Sequence, residues 1–151
     1  MFGIPVLECI PDRSRIAAVN ARPDAEGGDV SFTGNLLAES LRKQVPVDAR
    51  PLTVRRIWRT DAGDPSAGQP LTWTFIEFEV PDDNVEVFAE ALAGALERGP
   101  WYCDFRSEHE SLVVFAGRVF RYPRGDTSAR KSAEDYARSV GVPEAQIDWR
   151  V

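Results

Sequence analysis

Apolar patterns along the chain predict an α+β protein with a mainly antiparallel sheet of about five strands and two to three helices. Three observations carry this prediction. Residues 52–80 contain two period-two segments around a Gly/Pro/Ser/Asp loop. Residues 83–98 repeat apolar side chains at helical spacing, and residues 101–122 contain three short alternating segments. Runs of strands interrupted by single helices are typical of α+β folds, so we expect one domain over residues 1–151.

The N-terminal part of the sequence is the least regular. Residues 2–10 and 15–19 favour two short strands joined by a turn. Pro5 and Pro11 argue against a central strand, because proline cannot donate to a strand ladder. We therefore predict an edge hairpin or an arm over residues 1–30.

A short first helix is predicted over residues 35–43. Leu36, Leu37 and Leu41 would form its apolar stripe, and Pro46 lies just beyond its end. Two strands should follow, at residues 52–60 and 71–80, with residues 61–70 as the connecting loop.

The two strands suggest their own register through opposite charges. If Ile57 lies opposite Phe75, Arg55 lies opposite Glu77 and Arg59 opposite Trp73, which gives an ion pair and a cation–π contact. The other face of the pair would then be the core side, with Val54, Trp58, Ile76, Phe78 and Val80.

The segment over residues 83–98 is the strongest helical pattern. Asp83 and Glu86 have the spacing of a capping box, and Gly99 followed by Pro100 marks the end. The side chains at helical spacing are Val85, Phe88, Leu92, Ala95 and Leu96.

A meander of three strands is predicted next, at residues 101–106, 111–116 and 118–122. Pairing Phe105 with Leu112 and Cys103 with Val114 places these four side chains on one face. A last helix should cover residues 128–140, with Gly141 beyond it. The order of elements matches a ferredoxin-like or related open-faced sandwich in outline.

Composition and charge exclude several classes of function. The net charge of −6 argues against a nucleic-acid surface, which needs many basic contacts to phosphate. No apolar run is long enough to span a membrane, and no signal-peptide pattern opens the chain, so we expect a cytoplasmic location. The 2 Cys indicate neither a disulfide framework nor a zinc site. Basic residues that are almost all Arg, together with frequent Ala, favour a GC-rich bacterial source.

The most informative pattern is an aromatic second face of the predicted sheet. A face open to water should carry polar side chains, so something must cover this one. The chain itself, a second copy, another protein or a small ligand could do so. The face and its neighbours supply our candidate interface or ligand-binding residues, which are Trp73, Phe75, Tyr102, Asp104, Phe115, Phe120, Arg121 and Tyr122.

No set of residues indicates catalysis, a metal or a cofactor. His109 lies at a predicted hairpin turn among polar neighbours, which favours a solvated position over a general base. Cys9 and Cys103 alternate with apolar residues, which favours burial over nucleophilic reactivity. Asp104 is the best single acid–base candidate, but an ion pair with Arg106 or Arg118 explains it more simply.

The segment from Trp101 to Trp149, with the runs WYCDF, VFRYPRGD and GVPEAQIDW, resembles small uncharacterised bacterial proteins. This resemblance implies no activity and no site residue.

The leading hypothesis from the sequence is a non-catalytic protein that acts through protein–protein contacts, as a homo-oligomer or as an accessory or regulatory subunit. Residues 50–59 carry 4 Arg and no acid, whereas residues 71–97 carry 7 acids and no base, and such opposed blocks suit self-association. A small-molecule binder or enzyme with an aromatic pocket is the alternative. Its polar contacts would be Tyr102, Asp104 and Arg121, and the arginines slightly favour a small anionic ligand. An immunity or inhibitor protein is a further alternative.

Overall fold

The computed structural model of the protein describes residues 30–48 and 52–149, which form one antiparallel sheet of six strands with two α-helices. The α+β class and the antiparallel sheet are confirmed. The hairpin or arm predicted over residues 1–30 lies outside the described residues, apart from Val30. The strands are β1 (Ser31–Leu37), β2 (Thr53–Asp61), β3 (Thr72–Pro81), β4 (Cys103–Arg106), β5 (Glu110–Phe115) and β6 (Arg118–Pro123). The helices are α1 (Asp82–Ala95) and α2 (Thr127–Ser139).

The order of strands across the sheet is β2-β3-β1-β4-β5-β6, and every neighbouring pair is antiparallel. The strand β1 therefore lies in the middle of the sheet. Its two neighbours, β3 and β4, run parallel to each other and are joined by α1, which crosses over β1 on one face. Within the described ranges no helix is long and apolar enough to cross a membrane.

The first helix predicted over residues 35–43 is wrong, because residues 31–37 form the central strand. Phe32 and Leu36 alternate onto the buried side, while β3 and β4 supply hydrogen-bonding partners along both edges. Only a single 3-10 turn, Ala38–Ser40, follows the strand. Pairing with two neighbours satisfies more backbone groups than a short isolated helix could, and this decides the conformation.

The predicted register of β2 against β3 is off by one residue. Ile57 lies opposite Ile76, and Arg56 rather than Arg55 lies opposite Glu77, because a bulge occurs between Val54 and Arg56. The ion pair forms one position along, between Arg56 and Glu77 at 3.2 Å. The cation–π contact forms within β2 instead of across the strands: the Arg56 guanidinium lies 4.4 Å from the centre of the Trp58 ring, and Arg59 lies opposite Thr74.

The same shift moves Trp58 away from the core side where it was expected. Trp58 instead stacks on Phe75, on the sheet face away from α1. Val54 is 48% exposed, whereas Phe78 and Val80 are buried as predicted.

The helix α1 covers one face of the sheet and forms the main core with it. Its buried side chains match the predicted stripe, but it starts at Asp82, one residue early, and ends at Ala95, before the predicted stop. Pro81 is the N-cap residue and no side chain caps the helix, so the capping box at Asp83 is not formed. The core combines α1 with inward side chains of the sheet, which are Phe32, Leu36, Phe78, Val80, Val85, Phe88, Ala89, Leu92, Leu96, Cys103, Phe105, Leu112 and Val114.

The strand meander and the last helix agree closely with the sequence prediction. Phe105 lies opposite Leu112 and Cys103 opposite Val114, as expected. The helix α2 begins after Asp126, whose carboxylate accepts a hydrogen bond from the backbone N–H of Ala129 at 2.9 Å. It packs on the face opposite α1, so the half of the sheet formed by β5 and β6 lies between two helices.

Candidate functional site

The sheet face away from α1, which we call the second face, carries the aromatic side chains predicted for it. The strand register places Trp73, Phe75, Asp104, Phe115 and Phe120 there. Tyr122 lies opposite Ser111 and shares this face, and Tyr102 precedes β4. The structure divides these residues into two groups, one beneath α2 and one beside it.

The group beneath α2 is covered by the chain itself. Phe115 and Tyr122 are buried there with Ala133 and Ala137 of the helix. Phe120 is partly buried, with its ring centre 5.6 Å from that of Tyr136. These three positions are therefore core positions of the second layer, and the helix removes the need for another protein to cover them.

Arg121 lies on the opposite face from the other candidates, which corrects its expected place beside Tyr102 and Asp104. Successive residues of a strand alternate faces, so Arg121 projects toward α1 when Phe120 and Tyr122 face α2. Its guanidinium binds Glu110 at 2.6 Å and Glu86 at 2.9 Å. The hydrogen bond from Arg121 and its positive charge hold the pKa of Glu110 below the usual value, although burial opposes this.

The group beside α2 forms one wall of a cleft. The opposite wall is the C-terminal segment, residues 142–149, which crosses the second face after α2. This cleft has a volume of about 100 Å³. Its lining residues are Asn35, Leu37, Gln69, Trp73, Phe75, Pro100, Trp101, Tyr102, Asp104, Arg106, Gln146, Asp148 and Trp149.

Two buried glutamines fasten the C-terminal segment to the rest of the protein. The amides of Gln69 and Gln146 donate to each other's oxygens at 3.0 and 2.9 Å. Gln69 also donates to the carbonyl of Pro100 at 3.1 Å. The Tyr102 hydroxyl donates to the backbone carbonyl of Gln146 at 2.6 Å. Through these bonds both walls of the cleft are joined to the same polar pair.

The polar groups of the cleft lie among apolar rings. Asp104 and Asp148 contribute carboxylates and Arg106 a guanidinium. Burial raises the pKa of the Tyr102 hydroxyl well above its usual range, and the negative charges of Asp104 and Asp148 add to the rise. Within the described residues, the Oδ1 atom of Asn35 and the indole N–H of Trp73 are buried without a hydrogen-bond partner. Unpaired buried polar atoms are uncommon, and these two offer an acceptor and a donor to a molecule from outside the protein.

Several residues of the cleft were not expected there from the sequence pattern, notably Trp101, Gln69 and Trp149. Alternation with Cys103 would place Trp101 on the core face, but β4 begins at Cys103 and the Trp101 ring lies beside Trp73, with ring centres 6.2 Å apart. Gln69 lies in a loop whose composition indicated only a connection. The Trp149 ring lies 5.2 Å from that of Tyr102.

Cys103 and His109, the other residues considered for catalysis, lie in different environments. Cys103 is buried, and burial raises the pKa of its thiol well above the usual value, so the reactive thiolate is disfavoured. His109 is exposed in the turn between β4 and β5. Among residues 30–48 and 52–149, no three His, Cys, Asp or Glu side chains come together as metal ligands.

A second hollow, of about 840 Å³, lies between the end of α1 and α2. It is wide and open, and its charged residues Arg42, Glu97 and Arg98 are exposed. Its floor is formed by small residues and by the edges of Phe115 and Tyr136, without the convergence of polar groups found in the cleft.

Comparisons with known proteins add no assignment to this geometry. No protein-family model, no curated protein and no solved structure matches the chain.

Proposed function

We propose that the protein binds a small molecule non-covalently in the cleft between the second face and the C-terminal segment. The observation that carries this proposal is the convergence of aromatic walls with a few polar groups at one concave site. Ligand sites commonly combine these two features, the rings excluding water and the polar groups fixing orientation.

The size of the cleft limits the ligand. About 100 Å³ is small beside typical pockets for drug-sized molecules, so it suits a very small ligand or the end group of a longer one. The bonds between Gln69 and Gln146 support the proposal, because a wall that is already fixed costs little conformational entropy on binding. The Arg121 guanidinium, one reason to favour an anionic ligand, does not belong to the cleft.

Binding can be tested by screening fragments against the protein and following tryptophan fluorescence. Trp73, Trp101 and Trp149 line the cleft, so an occupant should change their emission. The variant Leu37→Trp, which enlarges a lining side chain, should abolish binding. Ile57→Trp, on the other face of the sheet, is the matched control and should keep it. Absence of binding by any fragment, or binding that Leu37→Trp leaves unchanged, would contradict the proposal.

Protein–protein contact, as a homo-oligomer or an accessory subunit, is the second candidate function. The outermost strand β2 favours it, because Val54 and Ile57 are 48% and 62% exposed. If this edge is an interface, Ile57→Lys should reduce the mass measured by light scattering or the binding of a protein partner. Thr53→Lys, on the opposite face of the same strand, controls for charge. A monomeric wild type that gains no partner would count against this candidate.

The finer features of the fold and location are also proposals. The crossover from β3 through α1 to β4, with β1 inserted between the two strands, supports a variant of the ferredoxin-like layout. We likewise propose a bacterial, cytoplasmic protein, on the strength of its basic residues, which are almost all Arg, and its frequent Ala.

A further inference from the structure

We propose that the cleft selects an organic cation, such as an alkylammonium group, held by its aromatic walls and by the carboxylates of Asp104 and Asp148. This inference rests on the proposed function and adds the chemical class of the ligand.

The first step is the charge of the cleft itself. Among the described residues that line it, the charged side chains are two carboxylates, Asp104 and Asp148, and the guanidinium of Arg106. The two carboxylates lie on opposite walls, one on β4 and the other on the C-terminal segment. Both raise the pKa of the Tyr102 hydroxyl, which donates to the backbone carbonyl of Gln146 on the C-terminal wall, because both disfavour its negative form. A positive group near Tyr102 is therefore favoured by both walls at once.

The second step is the nature of the surrounding surface. Five aromatic residues line the cleft, Trp73, Phe75, Trp101, Tyr102 and Trp149. Ring faces attract cations, and rings accommodate the methyl or methylene groups of an organic cation better than a hydrated metal ion. The protein already uses this contact on its own side chains, with Arg118 lying 4.7 Å from the centre of the Tyr136 ring.

The third step is hydrogen bonding. Among the described residues, the Asn35 Oδ1 atom is a buried acceptor without a partner, which an ammonium N–H or a hydroxyl on the ligand would satisfy. The buried indole N–H of Trp73 also has no partner there, and a hydroxyl oxygen on the ligand would accept from it. The two carboxylates already interact within the chain. A carboxylate has about four acceptor positions, so each can accept a further bond or a close positive charge.

Three probes of nearly the same shape test the sign of the charge. Choline carries a trimethylammonium group, 3,3-dimethyl-1-butanol is its uncharged analogue, and 3,3-dimethylbutyrate carries a carboxylate. Titration followed by tryptophan fluorescence should give choline about tenfold tighter binding than the alcohol, the scale of a desolvated cation–π contact with charge pairing. The carboxylate should bind most weakly.

Variants of opposite charge in the same cleft provide the control. Asp104→Asn should remove most of the preference for choline over the alcohol, whereas Arg106→Gln should keep or increase it. Asp148→Asn, on the other wall, tests the same point if Asp104→Asn proves unstable in urea. The tripeptide amide Ala-Lys-Ala is then compared with choline. Tighter binding of the peptide indicates a lysine side chain of a protein as the ligand, and tighter binding of choline indicates a free organic cation.

The outcomes separate this inference from the proposed function. Equal binding of choline and the alcohol, or tighter binding of the carboxylate, would overturn the cation preference and leave small-molecule binding standing. Failure of all probes to bind, together with failure of the fragment screen, would overturn both.

Discussion

Gly34 in β1 lies so close to β4 that no side chain fits between the two strands. A Cβ atom there would lie 2.5 Å from the backbone oxygen of Asp104 and from the Cβ of Phe105. These neighbours are a backbone carbonyl and the Cβ atom of the buried Phe105, so neither can move aside. The sequence holds no sign of this need, because the residue that requires the space lies in a strand about seventy positions later. Sequence patterns report local preference, and this contact is not local.

Replacement of this glycine should therefore be costly. We expect Gly34→Ala to lower the free energy of unfolding by at least about 2 kcal/mol, from overpacking against the β4 backbone. Gly94→Ala is the matched control, because it lies in α1 with open space around its Cβ and should stabilise by up to about 1 kcal/mol. Urea denaturation measures both. Equal effects of the two substitutions would contradict the account of Gly34.

Ionisation of Glu39 gives a second prediction at the scale of one residue. Burial opposes its charge, but the backbone N–H and hydroxyl of Thr74 donate to its carboxylate at 2.8 and 2.7 Å and lower its pKa. A carboxyl whose pKa is lowered by folding adds stability above its unfolded pKa of about 4.3, and this is lost as the pH falls through the folded pKa.

Glu39→Gln should therefore reduce stability near neutral pH and flatten its decline in acid. Urea midpoints across a pH series measure both effects. Glu90→Gln, on the exposed side of α1, should leave the wild-type profile intact. A Glu39→Gln profile that parallels the wild type would refute the linkage.

At the scale of elements, α1, α2 and the meander were predictable because their apolar spacing agrees with their final packing. The strand β1 was not, because Leu36, Leu37 and Leu41 also fit a helix over a short window. Pairing along both edges of β1 decided between the two, and those partners belong to other elements. The bulge in β2 was equally invisible, since shifting one residue still leaves an Arg opposite Glu77.

One pair of buried side chains, Gln69 and Gln146, joins the C-terminal segment to the loop before β3, which permits a sharp test. Gln146→Leu should lower stability by about 1–3 kcal/mol, because it leaves the Gln69 amide buried with fewer partners. The double variant Gln69→Leu with Gln146→Leu should cost less than the sum of the single changes. Urea denaturation of all four proteins completes the cycle, and strict additivity would show that the two amides act independently.

At the scale of the whole molecule, the opposed charge blocks of the sequence are largely neutralised inside the fold. Arg55 and Arg56 of β2 pair with Glu79 and Glu77 of the adjacent β3. Arg121 of β6 in turn reaches Glu86 of α1.

The candidate site was predictable in part, because alternation along the strands placed Trp73, Phe75, Tyr102 and Asp104 on one face. Alternation could not indicate that α2 covers only half of that face, but it does place Arg121 on the opposite face, because Phe120 and Tyr122 flank Arg121 in β6.

Both helical layers pack on the same sheet, so a substitution that destabilises one face should also destabilise the other. Ala137 is fully buried on the side of α2 that faces the sheet, and Ala137→Asp should lower stability by several kcal/mol through an unpaired buried charge. In a Cys9→Ser background, labelling of the buried Cys103 thiol on the α1 side should accelerate correspondingly. Ser139→Asp, at the exposed end of α2, should label at the parental rate. Unchanged labelling in Ala137→Asp would indicate that the layers open separately.

The central position of β1 also has a consequence for synthesis of the chain on the ribosome. The strand is made early, yet its partners are residues 75–81 and 104–106, so neither edge can be satisfied until much later sequence has emerged. Such non-local pairings slow folding and leave a strand with two open edges exposed meanwhile. We expect β1 to resist proteolysis in the nascent chain only after residue 106 has left the exit tunnel, because both of its neighbouring strands are then available.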